Sequence, residues 1–233
     1  MVKTTPAVRF PPVWQASEGG LLMLGGQLTP EWLLTAYRQG IFPWPVYDGQ
    51  TEILAWFSPD PRAILELDQL HVSHRLQRRL RSGRFQVTFD ADFCSVIAAC
   101  AEVRGPEEGT WITPHLAEAY IELHRLGVAH SVEVWQEGQL AGGVYGLALG
   151  GFFAGESMFH RQRDASKVAL VYLVRHLQSR GFVLFDVQQA SPHLIRLGAT
   201  EVPRSQFLSR LRRALELPVS FSSVRGITVA SSQ

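Results

Sequence analysis

The sequence predicts an α/β protein with a mixed sheet, and three patterns support this class. Helix-like and strand-like segments alternate from about residue 84 onward. Three strand-like runs between residues 131 and 159 are joined by turn-forming residues, which favours antiparallel hairpins. A helical pattern over 166–180 then stops at Gly181, and the apolar run FVLFDVQ follows as a predicted buried strand. Together these patterns predict a central sheet packed against helices.

Two helices are predicted in the first third of the chain. Thr29 followed by Pro30 is typical of a helix start, so residues 30–39 are predicted to be helical. Segment 71–84 places apolar residues on one helical face and arginines on the adjoining face. These arginines are Arg75, Arg78 and Arg79. The basic face could grip phosphate groups, or it could simply be solvated.

A domain boundary is predicted after the stretch 50–61, which is rich in proline and aromatic residues. It divides the chain into a small N-terminal domain, residues 1–62, and a larger domain, residues 63–233. In the larger domain, QVTFD predicts a strand and DFCSVIAACAE a helix. A further helix is predicted to start at Thr113 and to end near Gly127.

Composition limits the classes of function without selecting one. The chain has 233 residues, of which 46% are hydrophobic and 18% charged, so it can bury a full core. Lysine and arginine total 22 against 21 acidic residues, so attraction for nucleic acid must come from local clusters. The sequence has no charged leader before an apolar run and no apolar stretch of about 18 residues. We therefore expect a cytoplasmic protein.

Several common kinds of catalytic site are not predicted. Cys94 and Cys100 have no CxxC spacing, and the histidines lack the clustered partners that zinc requires, so we expect no metal. The sequence has neither a GxSxG nor a GxxxxGK[ST] motif, which argues against a common serine hydrolase and against use of ATP. A donor substrate should therefore arrive already activated, and we expect no cofactor.

The ends of two predicted strands carry candidate functional residues. Asp186 and Gln188 alternate along FVLFDVQ, so their side chains should point to the same side and could share one reacting group. The alternative is that Asp186 only caps or pairs locally. Gly155, Glu156 and Met158 mix a carboxylate with apolar neighbours, which suits a ligand pocket. The same residues would equally suit a surface hairpin end with a solvated Glu156.

Three tryptophans lie in predicted loops. Trp44, Trp56 and Trp111 occur in proline-rich or glycine-rich segments, where a large ring is free to stack on a nucleobase. Tryptophans in such segments also commonly fill the seam between two domains. The pattern leaves both interpretations open.

A resemblance to a known family is carried by the ordered segments LLMLGGQLTPEWLLTAYRQGIFPWP, WFSPDPRAI, EEGTWITPHLAEAY, HSVEVW, GGVYG, FFAGESMFHR, DASK, FDVQ and LGATEVPR. From about Leu21 to Arg204 the chain resembles the leucyl/phenylalanyl-tRNA–protein transferases, and FPW, EEGTWIT and GESMF together are highly specific. The resemblance implies a small N-terminal α/β domain and a larger domain with a fold like that of the acetyl-CoA-dependent N-acetyltransferases (GNAT-like). It also implies transfer of leucine or phenylalanine, sometimes methionine, from aminoacyl-tRNA to proteins that begin with arginine or lysine. The product carries an N-terminal degradation signal.

The resemblance also implies roles for individual residues. Asp186 and Gln188 match the family's active-site DxQ. We expect Asp186 to attract and orient the cationic N-terminus of the acceptor, and Gln188 to hydrogen-bond the reacting amine or the tetrahedral centre. The pocket for the leucine or phenylalanine side chain should be lined by Val144, Phe153, Gly155 and Met158. The resemblance places Glu156 near the adenosine end of the donor, Trp44 and Trp111 against the terminal adenosine, and Arg75, Arg78 and Arg79 at the acceptor stem.

Some positions depart from the family pattern, and two other functions are compatible with the chain. Val144 stands where the family often has methionine, and Ser191 and Arg196 stand where it often has Asn and Ser. One alternative is an acetyl-CoA-dependent N-acetyltransferase, but RQRDASK replaces its [QR]xxGx[GA] loop and Asp164 adds a negative charge. The other is a non-catalytic tRNA-binding module. We expect a monomer.

Overall fold

The computed structural model describes residues 8–49, 51–102 and 110–221. Both ends of the chain, and with them the outer limits of the two predicted domains, lie outside the described residues. The same holds for the first three letters of the EEGTWIT segment. Within the described residues, no helix is both long enough and apolar enough to cross a membrane.

Twelve strands and seven α-helices make up the described part of the chain, after a 3-10 turn at Val13–Gln15. The strands are β1 (Leu21–Leu24), β2 (Phe42–Pro43), β3 (Val46–Asp48), β4 (Thr51–Ile53), β5 (Ala55–Phe57), β6 (Arg62–Leu65), β7 (Gln86–Phe89), β8 (Ala129–Gln136), β9 (Gln139–Leu149), β10 (Phe152–His160), β11 (Leu184–Gln188) and β12 (Ala199–Val202). The helices are α1 (Pro30–Arg38), α2 (His74–Arg81), α3 (Phe93–Glu102), α4 (Pro114–Arg125), α5 (Ala165–Arg180), α6 (Pro192–Arg196) and α7 (Arg204–Leu215).

The predicted mixed sheet is confirmed. Seven strands form it in the order β12-β6-β11-β10-β9-β8-β7. Strands β10 and β11 run parallel, and every other neighbouring pair in this sheet is antiparallel. The parallel pair follows from the predicted helix-then-strand unit, because α5 carries the chain back across the sheet before β11 begins. The first residues of β10 and β11 therefore lie side by side, and the end of β11 lies beside the middle of β10.

Local capping residues explain where the predicted helices begin. The Thr29 hydroxyl accepts a hydrogen bond from the backbone N–H of Trp32 at the start of α1, as the sequence predicts. Segment 71–84 becomes helical only from His74, because Ser73 caps the first turn of α2 through the N–H of Leu76. The basic helix is thus shorter than predicted, but all three of its arginines remain helical.

Two hydrophobic layers cover the two faces of the central sheet. One layer contains residues from α1, α3, α4 and α7, and the other contains residues from α2 and α5. A small antiparallel sheet of order β1-β5-β2 and the hairpin β3-β4 complete the N-terminal part. The first layer runs without a break from Leu33 of α1 to Tyr120 of α4. Arg62, the last residue of the predicted small domain, already belongs to the central sheet, and the boundary itself stays a prediction.

Gly146 allows β9 and β10 to pack closely beside the site. A methyl group on Gly146 would lie 2.1 Å from the carbonyl oxygen of Ala154 and 2.6 Å from the ring of Phe153. Both neighbours are fully buried and cannot move aside cheaply.

We therefore expect Gly146→Ala to lower the free energy of unfolding by about 1 to 3 kcal/mol or more, because it overpacks a closed region. Gly19→Ala is the matched control, since a methyl group there meets nothing within 4 Å. Urea denaturation of both variants measures the difference. Equal stabilities of the two variants would contradict the packing argument.

Candidate active site

A buried ion pair joins β6 to β11. Arg62 donates from Nε to Asp186 Oδ1 at 2.8 Å and from Nη2 to Oδ2 at 2.6 Å, and the two side chains are 1% and 0% exposed. The guanidinium also lies over the rings of Phe42 and Phe207, 4.8 and 4.6 Å from their centroids. Its remaining nitrogen, Nη1, donates to the carbonyl of Gly40 at 3.1 Å. One arginine thus holds together the end of α1, the central sheet and α7.

Asp186 is turned away from any approaching substrate. Besides the two bonds from Arg62, its Oδ1 accepts a hydrogen bond from the backbone N–H of Gln188 at 3.0 Å. Both oxygens are occupied and the side chain has no exposed surface. The structure therefore does not place Asp186 where the cationic N-terminus of an acceptor could touch it.

Gln188 has an unusual backbone conformation at the end of β11. Its backbone angle φ is +57°, which residues other than glycine rarely adopt. The pairing of β11 with β6 is also irregular between Asp186 and Gln188. At this irregular strand end the two side chains have different partners. Asp186 is enclosed with Arg62, whereas Gln188 lines a cavity.

Glu156 connects Gln188 to two buried tyrosines. Gln188 Nε2 donates to Glu156 Oε1 at 3.1 Å, and the hydroxyl of Tyr120 donates to Oε2 at 2.8 Å. The hydroxyl of Tyr37 lies 2.5 Å from that of Tyr120. Tyr37 belongs to α1 and Tyr120 to α4, so a hydrogen-bonded chain runs from the N-terminal part to the cavity wall.

The environment of Glu156 changes its acidity. The pKa of Glu156 is raised to about 7, chiefly because the carboxyl group is buried. The charge of Asp186 adds to this rise, whereas hydrogen bonds from Tyr37 and Tyr120 and the charge of Arg62 oppose it. A carboxyl group with this pKa populates both its charged and its neutral form at neutral pH. Proton transfer to and from such a group needs little driving force.

The cavity beside Gln188 is small and mostly apolar. It has a volume of about 100 Å³. It is lined by Val144, Gly155, Glu156, Ser157, Met158, Leu170, Phe185, Val187, Gln188 and Leu194. Val144 and Met158 are cross-strand partners on β9 and β10, and a methyl group on Gly155 would come within 2.8 Å of the Phe185 ring. A compact apolar group bound here would present its neighbouring atoms to Gln188 and Glu156.

Phe153 does not line this cavity, contrary to the expectation from the resemblance. It is 1% exposed and packs edge-on against Phe185, with ring centroids 5.6 Å apart. Its other neighbour is Phe221, on which it stacks. Phe153 thus supports the cavity wall from behind. Sequence reasoning missed two lining residues: Leu170, which lies on a helix that reads as ordinary core, and Leu194, which lies on the short helix α6.

The loop tryptophans have two different environments. Trp44 and Trp111 stack on each other with ring centroids 4.8 Å apart and an interplanar angle of 12°, so a base can stack only on an outer face of the pair. Trp56 is fully buried and donates to the carbonyl of Gly25. The packing interpretation is therefore correct for Trp56, and the structure brings the other two tryptophans together.

The basic face of α2 lies near the start of α5. Arg75 and Arg79 approach Asp164 Oδ2 at 4.0 and 3.9 Å, whereas Arg78 is exposed. Helix α2 belongs to the second hydrophobic layer, whereas the two stacked tryptophans pack against the first, so these arginines and the tryptophans lie on opposite sides of the central sheet. Arg75 also lines a groove next to the apolar cavity. Among the described residues, no three His, Cys, Asp or Glu side chains are grouped as metal ligands would be.

Sequence reasoning missed Arg62, Tyr37 and Tyr120, although each left some signal. Arg62 begins the apolar run RAIL, and a charged residue in a buried strand requires a partner. The two tyrosines lie on predicted helices, where a buried hydroxyl also has to be hydrogen-bonded. Only the three-dimensional structure identifies the partner in each case.

Comparison with known proteins gives a consistent result. The model of the leucyl/phenylalanyl-tRNA protein transferase family matches residues 64–212, and the model of its N-terminal domain matches residues 26–60. A leucyl/phenylalanyl-tRNA–protein transferase from Aromatoleum aromaticum is 55% identical, over 87% of this chain and 85% of its own length. One from Pseudomonas putida is 53% identical, over 95% of this chain and 97% of its own.

Solved structures are similar at a much lower level. A GCN5-related N-acetyltransferase from Kribbella flavida has a TM-score of 0.39 and 12% identity, over 74% of this chain and 60% of its own. An aminoglycoside acetyltransferase from an uncultured soil sample has a TM-score of 0.37 and 10% identity, over 64% and 97%. Likeness at this level says nothing about what this chain does.

Breaking the buried ion pair should destabilise the protein. Arg62→Ala leaves the Asp186 carboxylate buried without its partner, and we expect a loss of about 3 to 5 kcal/mol in the free energy of unfolding. The double variant Arg62→Met with Asp186→Leu removes both charges and should recover part of that loss. Guanidinium denaturation tests this. A cost below about 1 kcal/mol for Arg62→Ala would show that the pair is not the constraint that its geometry indicates.

Glu156 should make stability depend on pH. Its folded-state pKa of about 7 exceeds the ordinary value of 4.5, so its contribution is fully present below about pH 4.5 and is lost as the pH rises through 7. Glu156→Gln lacks this loss, so the stability of the variant relative to the native protein should rise by about 1 to 3 kcal/mol between pH 5 and pH 8. Denaturation at both pH values measures the change.

The matched control for this experiment is Glu118→Gln, which alters an exposed carboxyl group on α4. Its difference from the native protein should stay constant between the two pH values. Parallel pH profiles for Glu156→Gln and the native protein would rule out a raised pKa at Glu156.

Proposed function

The chain belongs to the leucyl/phenylalanyl-tRNA–protein transferase family, and we propose that it transfers leucine or phenylalanine from aminoacyl-tRNA to protein N-termini in the cytoplasm. Methionine is a further donor residue, and the acceptors begin with arginine or lysine. The modified protein then carries a degradation signal at its N-terminus. The observation that carries this proposal is the apolar cavity whose polar wall consists of Gln188 and Glu156.

The reaction needs neither ATP nor a cofactor. The ester that links an amino acid to tRNA is already activated, and its aminolysis to an amide is favourable. An α-amino group has a pKa of about 7.7 to 8.0, so roughly a tenth to a third of it is the free nucleophile at neutral pH. The protein therefore has to orient two substrates and to accept one proton.

The apolar cavity is the proposed pocket for the donor side chain. Val144 and Met158 face each other across β9 and β10, and Leu170 and Leu194 close the pocket from the helices. A hydrophobic pocket separates side chains by only about 1 to 3 kcal/mol per methylene, so it would accept more than one apolar amino acid. Met158 is flexible and can adjust to the larger ring of phenylalanine.

Gln188 is the proposed contact for the reacting amine. Its Nε2 donates to Glu156, so its carbonyl Oε1 is left free to accept a hydrogen bond. That oxygen would hold an N–H of the acceptor amine and aim its lone pair at the ester carbon. Asp186 would then act through Gln188, because it fixes the backbone N–H of that residue and does not reach the cavity itself.

Glu156 is the proposed proton acceptor. Its Oε1 lies 3.1 Å from Gln188 Nε2, at the wall where the amine would approach. As the new C–N bond forms, the amine would give one proton to the Glu156 carboxylate. When the C–O bond to the ribose breaks, the departing ribose oxygen would take that proton back. A pKa of about 7 suits both steps.

Transfer of labelled leucine tests the proposal. We expect label from Leu-tRNA to reach a peptide that begins with arginine, but not the same peptide beginning with alanine. Gln188→Ala should lower kcat by about 100-fold to 1000-fold, in the range for loss of one hydrogen bond to the transition state. The Kd for Leu-tRNA should stay within about threefold of the native value, because Gln188 contacts the reacting group rather than the RNA.

The same assay separates the two alternatives. Folded native protein that binds Leu-tRNA but labels neither peptide would be a non-catalytic tRNA-binding module. Acetylation of the peptide from acetyl-CoA, with no transfer of leucine, would identify an N-acetyltransferase. Either result overturns the proposed function.

A further inference from the structure

We propose that Phe221, in the segment after α7, is a positioning residue that sets the preference between leucine and phenylalanine as the donor side chain. Through two further aromatic rings it holds one wall of the apolar cavity, and so limits the size of the group that fits there. This inference rests on the proposed function, in which the cavity receives the donor side chain. Phe221 lies outside residues 64–212, which the family model matches.

Three phenylalanine rings connect the segment after α7 to the cavity. Phe221 stacks on Phe153, with ring centroids 5.6 Å apart and an interplanar angle of 26°. Phe153 packs edge-on against Phe185 at 5.6 Å, and these two residues are direct partners on β10 and β11. Phe185 lines the cavity, and the other two rings are buried behind it. Because a close-packed interior transmits strain, pressure on the wall at Phe185 reaches Phe221 through Phe153.

The Phe185 wall has little space into which it could retreat. The ring of Phe185 also lies against the backbone of β10, where a methyl group on Gly155 would come within 2.8 Å of it. Closely packed rings yield little, because any outward movement has to displace the next ring. Phe185 is thus a rigid part of the cavity lining, in contrast to the flexible Met158.

The cavity is small for the larger of the two donor side chains. Its volume is about 100 Å³. That is less than the roughly 150 Å³ of an apolar protein cavity that binds benzene. A leucine side chain fits such a space more easily than the benzyl group of phenylalanine. The lining therefore has to move to accept phenylalanine, and the ease of that movement decides how well phenylalanine competes with leucine.

Contacts with α5 and β8 fix the position of Phe221. His176 Nε2 donates to the carbonyl oxygen of Phe221 at 2.9 Å, and Arg180 Nε donates to that of Ser220 at 3.0 Å. The imidazole rings of His130 and His176 also contact the Phe221 ring, with centroids 4.2 and 4.5 Å away. Both the backbone and the side chain of Phe221 are therefore held, and the ring forms a fixed support behind Phe153.

Removal of the Phe221 ring should loosen the wall. A deleted buried ring leaves a cavity that the surrounding side chains fill only in part. Phe153 would relax toward the space left by Phe221, and Phe185 could then move away from the donor side chain. Phenylalanine, which needs the wall to move, would gain more from this than leucine. A general loss of stability would lower transfer of both amino acids alike, so the ratio between them distinguishes the two effects.

The experiment measures kcat/KM for one tRNA acylated with either leucine or phenylalanine, so that the RNA is the same in both donors. For Phe221→Ala we expect the ratio of phenylalanine to leucine transfer to rise about tenfold, the lower end of the range by which a hydrophobic pocket distinguishes one methylene. Ile97→Ala is the matched control, because it removes a buried side chain from α3 in the other hydrophobic layer. The control should keep the native ratio. An unchanged ratio in Phe221→Ala, or an equal rise in the control, would overturn the proposal.

A conservative variant carries the test should Phe221→Ala fail to fold. Phe221→Leu retains most of the apolar contact, so its cost in stability should be small. It leaves a smaller space behind Phe153, and we expect the same ratio to rise about twofold to threefold. A native ratio in folded Phe221→Leu would then contradict the proposal.

Binding of unreactive donors separates this inference from the proposed function. Adenosine that carries leucine or phenylalanine through an amide bond in place of the ester is not activated for transfer, and its Kd reports on the cavity alone. We expect Phe221→Ala to favour the phenylalanine compound in binding as it does in transfer. Native protein that binds both compounds but transfers neither amino acid from tRNA would refute the proposed function, while the ratio of the two Kd values would still test Phe221. Transfer with both ratios unchanged in Phe221→Ala would overturn the role of Phe221 and leave the reaction intact.

Discussion

The buried ion pair between Arg62 and Asp186 is the constraint on which the rest of the site depends. Removing two charges from water costs several kcal/mol for each, and good geometry has to offset this. Here the contact is bidentate, two aromatic rings cover the guanidinium, and Gly40 takes its remaining donor. The pair also orders the neighbouring backbone, because Asp186 accepts a hydrogen bond from the N–H of Gln188 and so stabilises a conformation that a free chain would avoid. The main effect of the pair is thus to place the reacting amide.

The sequence predicts well those parts of the fold that local chemistry determines. Turn residues between 131 and 159 define the hairpins β8-β9-β10, and Thr29 defines the start of α1. Strands β6 and β12 were missed because each has only four residues and pairs with segments more than 100 positions away in sequence. A run as short as RAIL has no periodicity that distinguishes a strand from a loop. Pairing over such distances is decided by the packed sheet.

The candidate site, like the fold, could be predicted from the sequence only in part. Sequence and resemblance identified Asp186, Gln188 and Glu156, but they did not show that Arg62 holds Asp186 while Gln188 lines the cavity. The partner of Asp186 lies 124 positions away in sequence, and no residue type near Gln188 announces the irregular pairing and the positive φ there. The position of Phe153 was also not predictable from the sequence, because the ring of Phe185 packs against it and lines the cavity in its place. The chemical groups were predictable, whereas their order from core to cavity was not.

The contact between the hydroxyls of Tyr37 and Tyr120 has a consequence for how such a chain can evolve. It joins the first helix of the protein to the wall of the cavity, so the N-terminal part is not a module that recombination can exchange freely. A replacement segment would have to bring a hydroxyl to the same point, or Glu156 would lose one link in its hydrogen-bonded chain. Selection therefore acts on the two parts together, and changes on one side of this contact are expected to be accompanied by changes on the other.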